Sequence, residues 1–423
     1  MRTFLVLFVL NLGLRLGALC FLFPPDLIPP NPNWETGAVS ISLATTGEFA
    51  DPYLIPTGPT AHMPPVYVGA MSLVYRGLGT GFVGGLVRWI LILMAISTLM
   101  ALMPWLGQIF GVGRKPGILA GVAGAFAIGF PSELEPYSGL VLALLAAFFV
   151  LRWRNMAESG EGPSGSFLFG LVLGAAFHLQ PVFLPVVLGY MTFELWRWRG
   201  EGGWRRSALM ALGIILACIP WGFRNYAAFH QAFFIRSNLG LELYVGNHEG
   251  AHADIDVSSA RGSFRHPRTD RSEAERVREL GEGPYMREKL EVALDWIGAH
   301  PGEFLRLTGT RLAYFWFGPL HQGSRAAPYL FLTLLAALGA WRFLGPADPF
   351  QRAALLIPLA MYPLIYYLVA YMPRYGEPVR WILFLLAAGA LVGSPEGAGE
   401  GKPSRHLTFL ARSGSMRSSW VRL

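Results

Sequence analysis

Glu35 is the first residue whose surroundings could do chemistry. It follows an apolar run, 4–23, and heads a short stretch that reads as a helix, with Asn33 as N-cap and Gly47 as stop. A carboxylate held just outside a membrane span can act as general base toward an acceptor hydroxyl. The same residue also suits the positive end of a helix dipole, so position alone leaves both roles open. Asp51 lies downstream in Gly47-Glu48-Phe49-Ala50-Asp51-Pro52-Tyr53, which continues through Thr57 to Pro65. The prolines and hydrogen-bonding side chains of this segment suit a shaped pocket, in which Tyr53 and Thr60 are candidate lining residues. His62 could serve as an acid/base group or as a metal ligand. No second ligand stands at a diagnostic spacing, which leaves a divalent metal as an open question and no other cofactor indicated.

Three arginines form a second set. Arg224 and Asn225 lie in Pro220-Trp221-Gly222-Phe223-Arg224-Asn225-Tyr226, at the end of an apolar run, followed by Arg236 and Asn247. Arg374 and Tyr375 occupy a similar position between two later apolar runs. Aromatic residues anchor such ends at the membrane interface, and Arg is favoured where a phosphate is gripped by several hydrogen bonds. Ordinary headgroup anchoring explains the same residues equally well.

The elements that must position these groups are membrane helices. The 423 residues are 53% hydrophobic and 14% charged, with a mean hydropathy of +0.41, which describes an all-α polytopic membrane protein. Ten spans are expected, near 3–23, 86–110, 117–131, 137–151, 166–179, 181–196, 207–222, 327–343, 353–372 and 378–393. The fifth and sixth read as a pair broken around His178 to Pro181. The net charge of +7 resides mainly in short loops, as topology and anionic lipids require, and does not indicate nucleic acid. Cys20 and Cys218 fall within spans and offer no disulfide framework.

Charge also sets orientation. No Lys or Arg occurs between Gly17 and Tyr75, whereas four carboxylates do: Asp26, Glu35, Glu48 and Asp51. Arg114, Lys115, Arg152, Arg154, Arg197, Arg199, Arg205, Arg206, Arg342 and Arg352 mark the opposite loops as cytoplasmic. Both termini are then cytoplasmic, and the candidate residues face outside. The expected organisation is a membrane module over 1–222 with a first external loop at 24–85. An outer loop region over 223–325 follows, then membrane helices over 326–393 and a disordered basic cytoplasmic tail over 394–423. In the outer loops, Pro64-Pro65 opens a surface helix through Val66 to Tyr75, and His248 to Glu282 reads as loop. Gly283-Pro284 opens a helix presenting Met286, Leu290, Ala293, Leu294 and Ile297, and Pro301 restarts another.

Taken together, Trp34-Glu35 to Ala44, Thr57 to Pro65, Pro220 to Tyr226, Arg236 to Asn247, Gly281 to Pro301 and Arg374-Tyr375 resemble the GT-C membrane glycosyltransferases. That broad group contains the protein O-mannosyltransferases and lipid A aminoarabinose transferases, and the likeness covers about residues 5 to 390. It implies a GT-C-like bundle with two long extracytoplasmic loops, in a bacterial plasma (inner) membrane. It further implies an inverting transfer of a sugar from a polyprenyl-phosphate-linked donor to a lipid, glycan or protein acceptor. Glu35 would be the base; Asp51 is the other candidate. Arg224, Arg374, Arg236 and His62 would hold the donor phosphate, with Tyr53, Thr60, Asn225, Asn247 and Tyr375 around the substrate. Two departures stand out. Many members carry Asp-Glu where this chain has Trp34-Glu35, and Lys-Pro-Pro where it has Met63-Pro64-Pro65. The alternative functions are a lipid-linked sugar flippase or transporter, and a surface-polysaccharide polymerase or ligase.

Overall fold

The structure is a computed structural model, and it describes residues 1–21, 34–127, 132–159, 163–199 and 202–392. The chain is an all-α membrane protein; among the described residues no strand forms beyond two isolated bridges. Its helices are α1 (Arg2–Phe21), α2 (Glu35–Thr45), α3 (Pro65–Leu78), α4 (Phe82–Ile109), α5 (Arg114–Phe126) and α6 (Glu135–Ser159). Next come α7 (Pro163–Leu179), α8 (Leu184–Arg197), α9 (Gly203–Phe229), α10 (Leu239–Gly246), α11 (Ile255–Ala260) and α12 (Arg271–Leu280). The last five are α13 (Glu282–Ala299), α14 (Pro301–Phe317), α15 (Ala327–Leu344), α16 (Pro349–Met361) and α17 (Glu377–Val392).

Every expected span coincides with a helix, but the lengths differ. Five segments are long and apolar enough to cross a membrane: Arg2–Phe21, Phe82–Ile109, Glu135–Ala157, Gly203–Phe229 and Pro373–Val392. At about 1.5 Å per residue, α5 and α16, with 13 residues each, reach about 20 Å, short of a 30 Å hydrocarbon core. The expected helix over 353–372 instead tightens to a 3-10 turn at Tyr362–Tyr367. Pro363 has no N–H to continue the α pattern there.

Helices pack where small residues allow it. Gly170 and Gly174, four apart on α7, face Met210 and Ala217 of α9. A Cβ on Gly170 would stand 2.2 Å from the Met210 carbonyl oxygen, so only glycine permits this approach. The main core joins α4, α6, α8, α16 and α17, with Trp381, Phe149, Phe350 and Tyr190 fully buried.

The two ends of the bundle differ in chemistry. At one end Arg114 reaches Thr3, Arg154 caps the Ile109 carbonyl and Arg342 caps the Ala390 carbonyl. Positive charge at helix C-termini is favourable there. At the other end α2, α3 and α10 to α14 gather over the bundle. The segment His248 to Glu282, expected as loop, contains α11 and α12. Their caps explain this: Asp254 accepts from the Asp256 amide and Asp270 from the Glu273 amide. Helix α13 opens at Glu282 but buries Tyr285, Met286, Lys289 and Ala293, leaving Leu294 exposed, so its inner face is rotated from the expected one. At α2 the N-cap is Trp34, with extended backbone and no side-chain bond. Asn33, Asp26 and the tail at 394–423 lie outside the described residues.

Candidate active site

Glu35 opens α2, and its carboxylate is mostly buried. The 223–325 segment folds over it. Arg268 Nε lies 3.8 Å from Glu35 Oε1, and His266 Nε2 lies 4.0 Å away. Pro267 between them accepts the Leu54 amide at 3.2 Å, which ties the two outer loops together. The Arg268 amide donates to His266 Nδ1 at 3.1 Å, so that nitrogen is an acceptor and Nε2 carries the proton facing Glu35. Burial pushes the His266 pKa down to about 4, against the pull of Glu35, so the imidazole is neutral at pH 7. It stands beside Glu35 as a neutral group, without a hydrogen bond to it.

Arg374 approaches the same place from the start of the last membrane segment. Its guanidinium lies 5.7 Å from the Trp34 ring centroid, and that of Arg268 lies 4.9 Å from the same ring. Arg374 Nε stands 3.5 Å from Glu135 Oε1, and the Tyr375 ring stacks on Tyr366 at 4.1 Å. Glu242 of α10 joins the group. Burial raises its pKa, Arg236 and Arg374 oppose this, and Glu35 adds to it. Glu35, Glu135, Glu242, Arg236, Arg268 and Arg374 thus form one charged cluster, the Glu35 bowl, at the end of the bundle.

The remaining expected site residues hold the first outer loop in place. Asp51 adopts a φ of 59°, and its Oδ1 accepts the Thr57 and Gly58 amides at 2.9 and 2.8 Å. That carboxylate closes a turn. Arg224 donates to the carbonyls of Thr60 and Phe49, both at 2.6 Å, and lies among the rings of Phe49, Trp221 and Phe229. It clamps the loop onto α9. The Thr60 hydroxyl and the Ala61 amide both bond Glu282, which also accepts from Ser237 at 2.6 Å. His62 is buried, 3.0 Å from the Tyr53 hydroxyl through Nδ1. Burial, aided by Arg236, His266 and Arg268, holds its pKa well below the usual value, so it carries no charge for a phosphate. Arg236 bonds the His62 carbonyl through Nε at 2.5 Å. Asn225 bonds the Phe233 carbonyl, while Asn247 ties Leu243 and Leu368 to Arg311.

The structure therefore brings together Glu35, Arg374, Tyr375 and, at the edge, Arg236. It adds Glu135, Glu242, His266 and Arg268, which the sequence did not single out. Two signals pointed to them. Ser132-Glu133-Leu134-Glu135 is an acidic turn at the same end, and Arg265-His266-Pro267-Arg268 is a basic run within the 223–325 segment. Among the described residues, no group of three or more His, Cys, Asp or Glu side chains could hold a metal ion. The nearby Glu133 is already taken by Arg88 and Thr36.

Two solved structures are similar to this chain. The first is the Archaeoglobus fulgidus oligosaccharyltransferase, solved with zinc and sulfate, at 15% identity and a TM-score of 0.50. The alignment covers 92% of this chain and 48% of that one, so the chain spans about half the length of the archaeal enzyme. The fold is GT-C-like. The second is ArnT from Cupriavidus metallidurans, bound to undecaprenyl phosphate, at 14% identity and a TM-score of 0.32, covering 92% of this chain and 76% of ArnT. No protein-family model and no curated protein matches the chain. In the GT-C-like bundle described here, Glu35 and Arg374 come from opposite ends of the sequence and meet at one end of the helices.

Proposed function

We propose that this chain transfers a hexosyl or pentosyl group from a polyprenyl-phosphate-linked donor to an acceptor hydroxyl, with inversion, at the extracytoplasmic face. The observation that carries this reading is the Glu35 carboxylate, faced by a neutral His266 and flanked by Arg268, with Arg374 on the same tryptophan. The GT-C-like fold supports the class of reaction.

In this mechanism Glu35 takes the proton of the acceptor hydroxyl as its oxygen attacks the anomeric carbon. The bond from that carbon to the phosphate oxygen breaks on the opposite face, and its electron pair stays with the phosphate. Negative charge therefore grows on the leaving group, where Arg374 and Arg236 stabilise the transition state more than the ground state. His266 stands 4.0 Å from Glu35 as a neutral neighbour and does not compete for the acceptor's proton. Asp51, Arg224, Thr60, Asn225 and Asn247 serve by fixing the loops that carry these groups.

The test is transfer by the purified protein from a panel of undecaprenyl-phospho-sugars to a panel of lipid, glycan and peptide acceptors. Transfer that disappears in Glu35→Gln is expected. Translocation of the lipid-linked sugar across vesicles with no transfer would instead establish a flippase.

A further inference from the structure

Beneath α2, three tyrosine hydroxyls converge without hydrogen-bond partners among the described residues. Tyr67 and Tyr75 lie on α3 and are 3% and 2% exposed, and Tyr137 lies in the first turn of α6; none of the three hydroxyls has a hydrogen-bond partner. The Tyr67 and Tyr137 rings stand 5.6 Å apart. Tyr75 presses onto α4, its ring 3.0 Å from where a Cβ on Gly84 would stand. One turn along α4 is Arg88, 1% exposed, whose Nη1 binds Glu133 Oε1 while its Nε is also unpartnered. Arg88 and Glu133 lie within electrostatic reach of all three hydroxyls.

Buried hydroxyls normally find partners, because leaving one unsatisfied is costly. Three such hydroxyls, with Arg88 Nε beside them, therefore need a reason. The composition of the cluster narrows what could supply the partners. Arg88 is neutralised by Glu133, so no free cation is available for an anion. The tyrosines are neutral groups, each able to donate and accept. A protein hydroxyl already marks the chemistry: Thr36 Oγ1 donates to Glu133 Oε2. Thr36 is the residue after Glu35.

We infer that Tyr67, Tyr75, Tyr137, Arg88 and Glu133 form a sugar-binding subsite, which reads the hydroxyls of the donor's sugar ring beneath the proposed base. A ring hydroxyl takes the place of Thr36 on Glu133, and the tyrosine hydroxyls and Arg88 Nε bond the others. Replacing Thr36 turns the first residues of α2, so filling the subsite and aiming Glu35 are coupled. This inference rests on the transferase reading above.

The test compares the full-length protein in detergent with the triple variant Tyr67→Phe, Tyr75→Phe, Tyr137→Phe. The probes are undecaprenyl-phospho-hexoses and -pentoses, and undecaprenyl phosphate without sugar. Each neutral hydrogen bond lost weakens binding about fivefold, so the triple variant should bind the preferred sugar-bearing lipid about 100-fold less tightly. Its affinity for the sugar-free lipid and its thermal midpoint should not change, because these hydroxyls hold no protein group. Should the triple variant fail to fold, each single variant should show its own fivefold loss. Undiminished sugar-lipid binding overturns the subsite while leaving the transferase reading intact. Equal loss for both kinds of lipid, or a large fall in thermal midpoint, also overturns the subsite. A wild-type protein that binds none of the sugar-lipids overturns the transferase reading, and the subsite with it.

Discussion

Glu35→Gln keeps the size of the side chain and its place at the start of α2 but removes the base. Turnover should fall by roughly 10²–10⁴ with unchanged membrane levels, measured by initial rates against protein quantified in membranes. The arginines should separate. Arg374 belongs to the Glu35 cluster and bonds no backbone carbonyl among the described residues, so Arg374→Lys should weaken donor binding about tenfold in a direct titration, with little effect on folding. Arg224 bonds two carbonyls, so Arg224→Lys should lower the thermal midpoint and leave the donor affinity of the folded fraction intact. The sequence placed both arginines at one depth. It could not separate them, because the carbonyls that engage Arg224 lie 164 and 175 residues away. His266 makes a pH prediction. Its folded pKa of about 4 lies below the unfolded 6.5, so between these values the unfolded chain binds more protons. Stability should therefore fall as pH drops from about 6.5 toward 4, on the order of 3 kcal/mol from this group. His266→Gln should flatten the acid limb of a midpoint-versus-pH curve; an unchanged limb would mean that His266 is not buried neutral.

The elements were legible where a cap or breaker marks them. Gly47, with a φ of 81°, ends α2, Pro65 opens α3 and Pro301 opens α14, each as its residue type predicts. α12 reads as loop in the sequence because six of its ten residues are charged and it buries only Ala274 and Val277, although Asp270 supplied a cap signal. The contact between the outer loops was invisible for a different reason. Glu282 looks like a surface residue ahead of Gly283-Pro284, yet it is buried and holds Thr60, Ala61 and Ser237. Burial raises its pKa, and those three bonds pull it back. Glu282→Ala leaves these donors without an acceptor and should cost about 3 kcal/mol, as hydrogen bonds to charged groups do. It should also expose the 51–62 loop to protease in intact membranes. Glu282→Gln keeps one acceptor oxygen and should lie between Ala and wild type. Protease resistance equal to wild type in Glu282→Ala would show that the loops are joined elsewhere.

At the scale of the whole molecule, the fold class followed from composition, but the length of each span did not. Helices of 13 residues cannot cross alone, and sequence hydropathy does not reveal where α16 gives way to a 3-10 turn. The division into two chemically different ends was readable from the first loop, because no Lys or Arg occurs between Gly17 and Tyr75. The structure places Glu35, Glu135 and Arg374 at one end and Arg114, Arg154 and Arg342 at the other. Which end faces the cytoplasm is then a question of which loops were exported. Short loops rich in Lys and Arg are retained, so the Arg114, Arg154 and Arg199 side should be cytoplasmic. The long second outer loop is a weaker guide, since long segments cross regardless of charge; this is how Arg265 and Arg268 can sit outside. A reporter active only outside the cytoplasm should therefore work when fused after Pro32 or Asp254 and fail after Arg154 or Arg199. Because the outer loops share the bowl, the Pro32 and Asp254 fusions must agree with each other whatever the orientation. Activity at Arg199 with silence at Asp254 would invert the molecule and put the Glu35 bowl on the cytoplasmic side, where a donor displayed on the outer leaflet could not reach it.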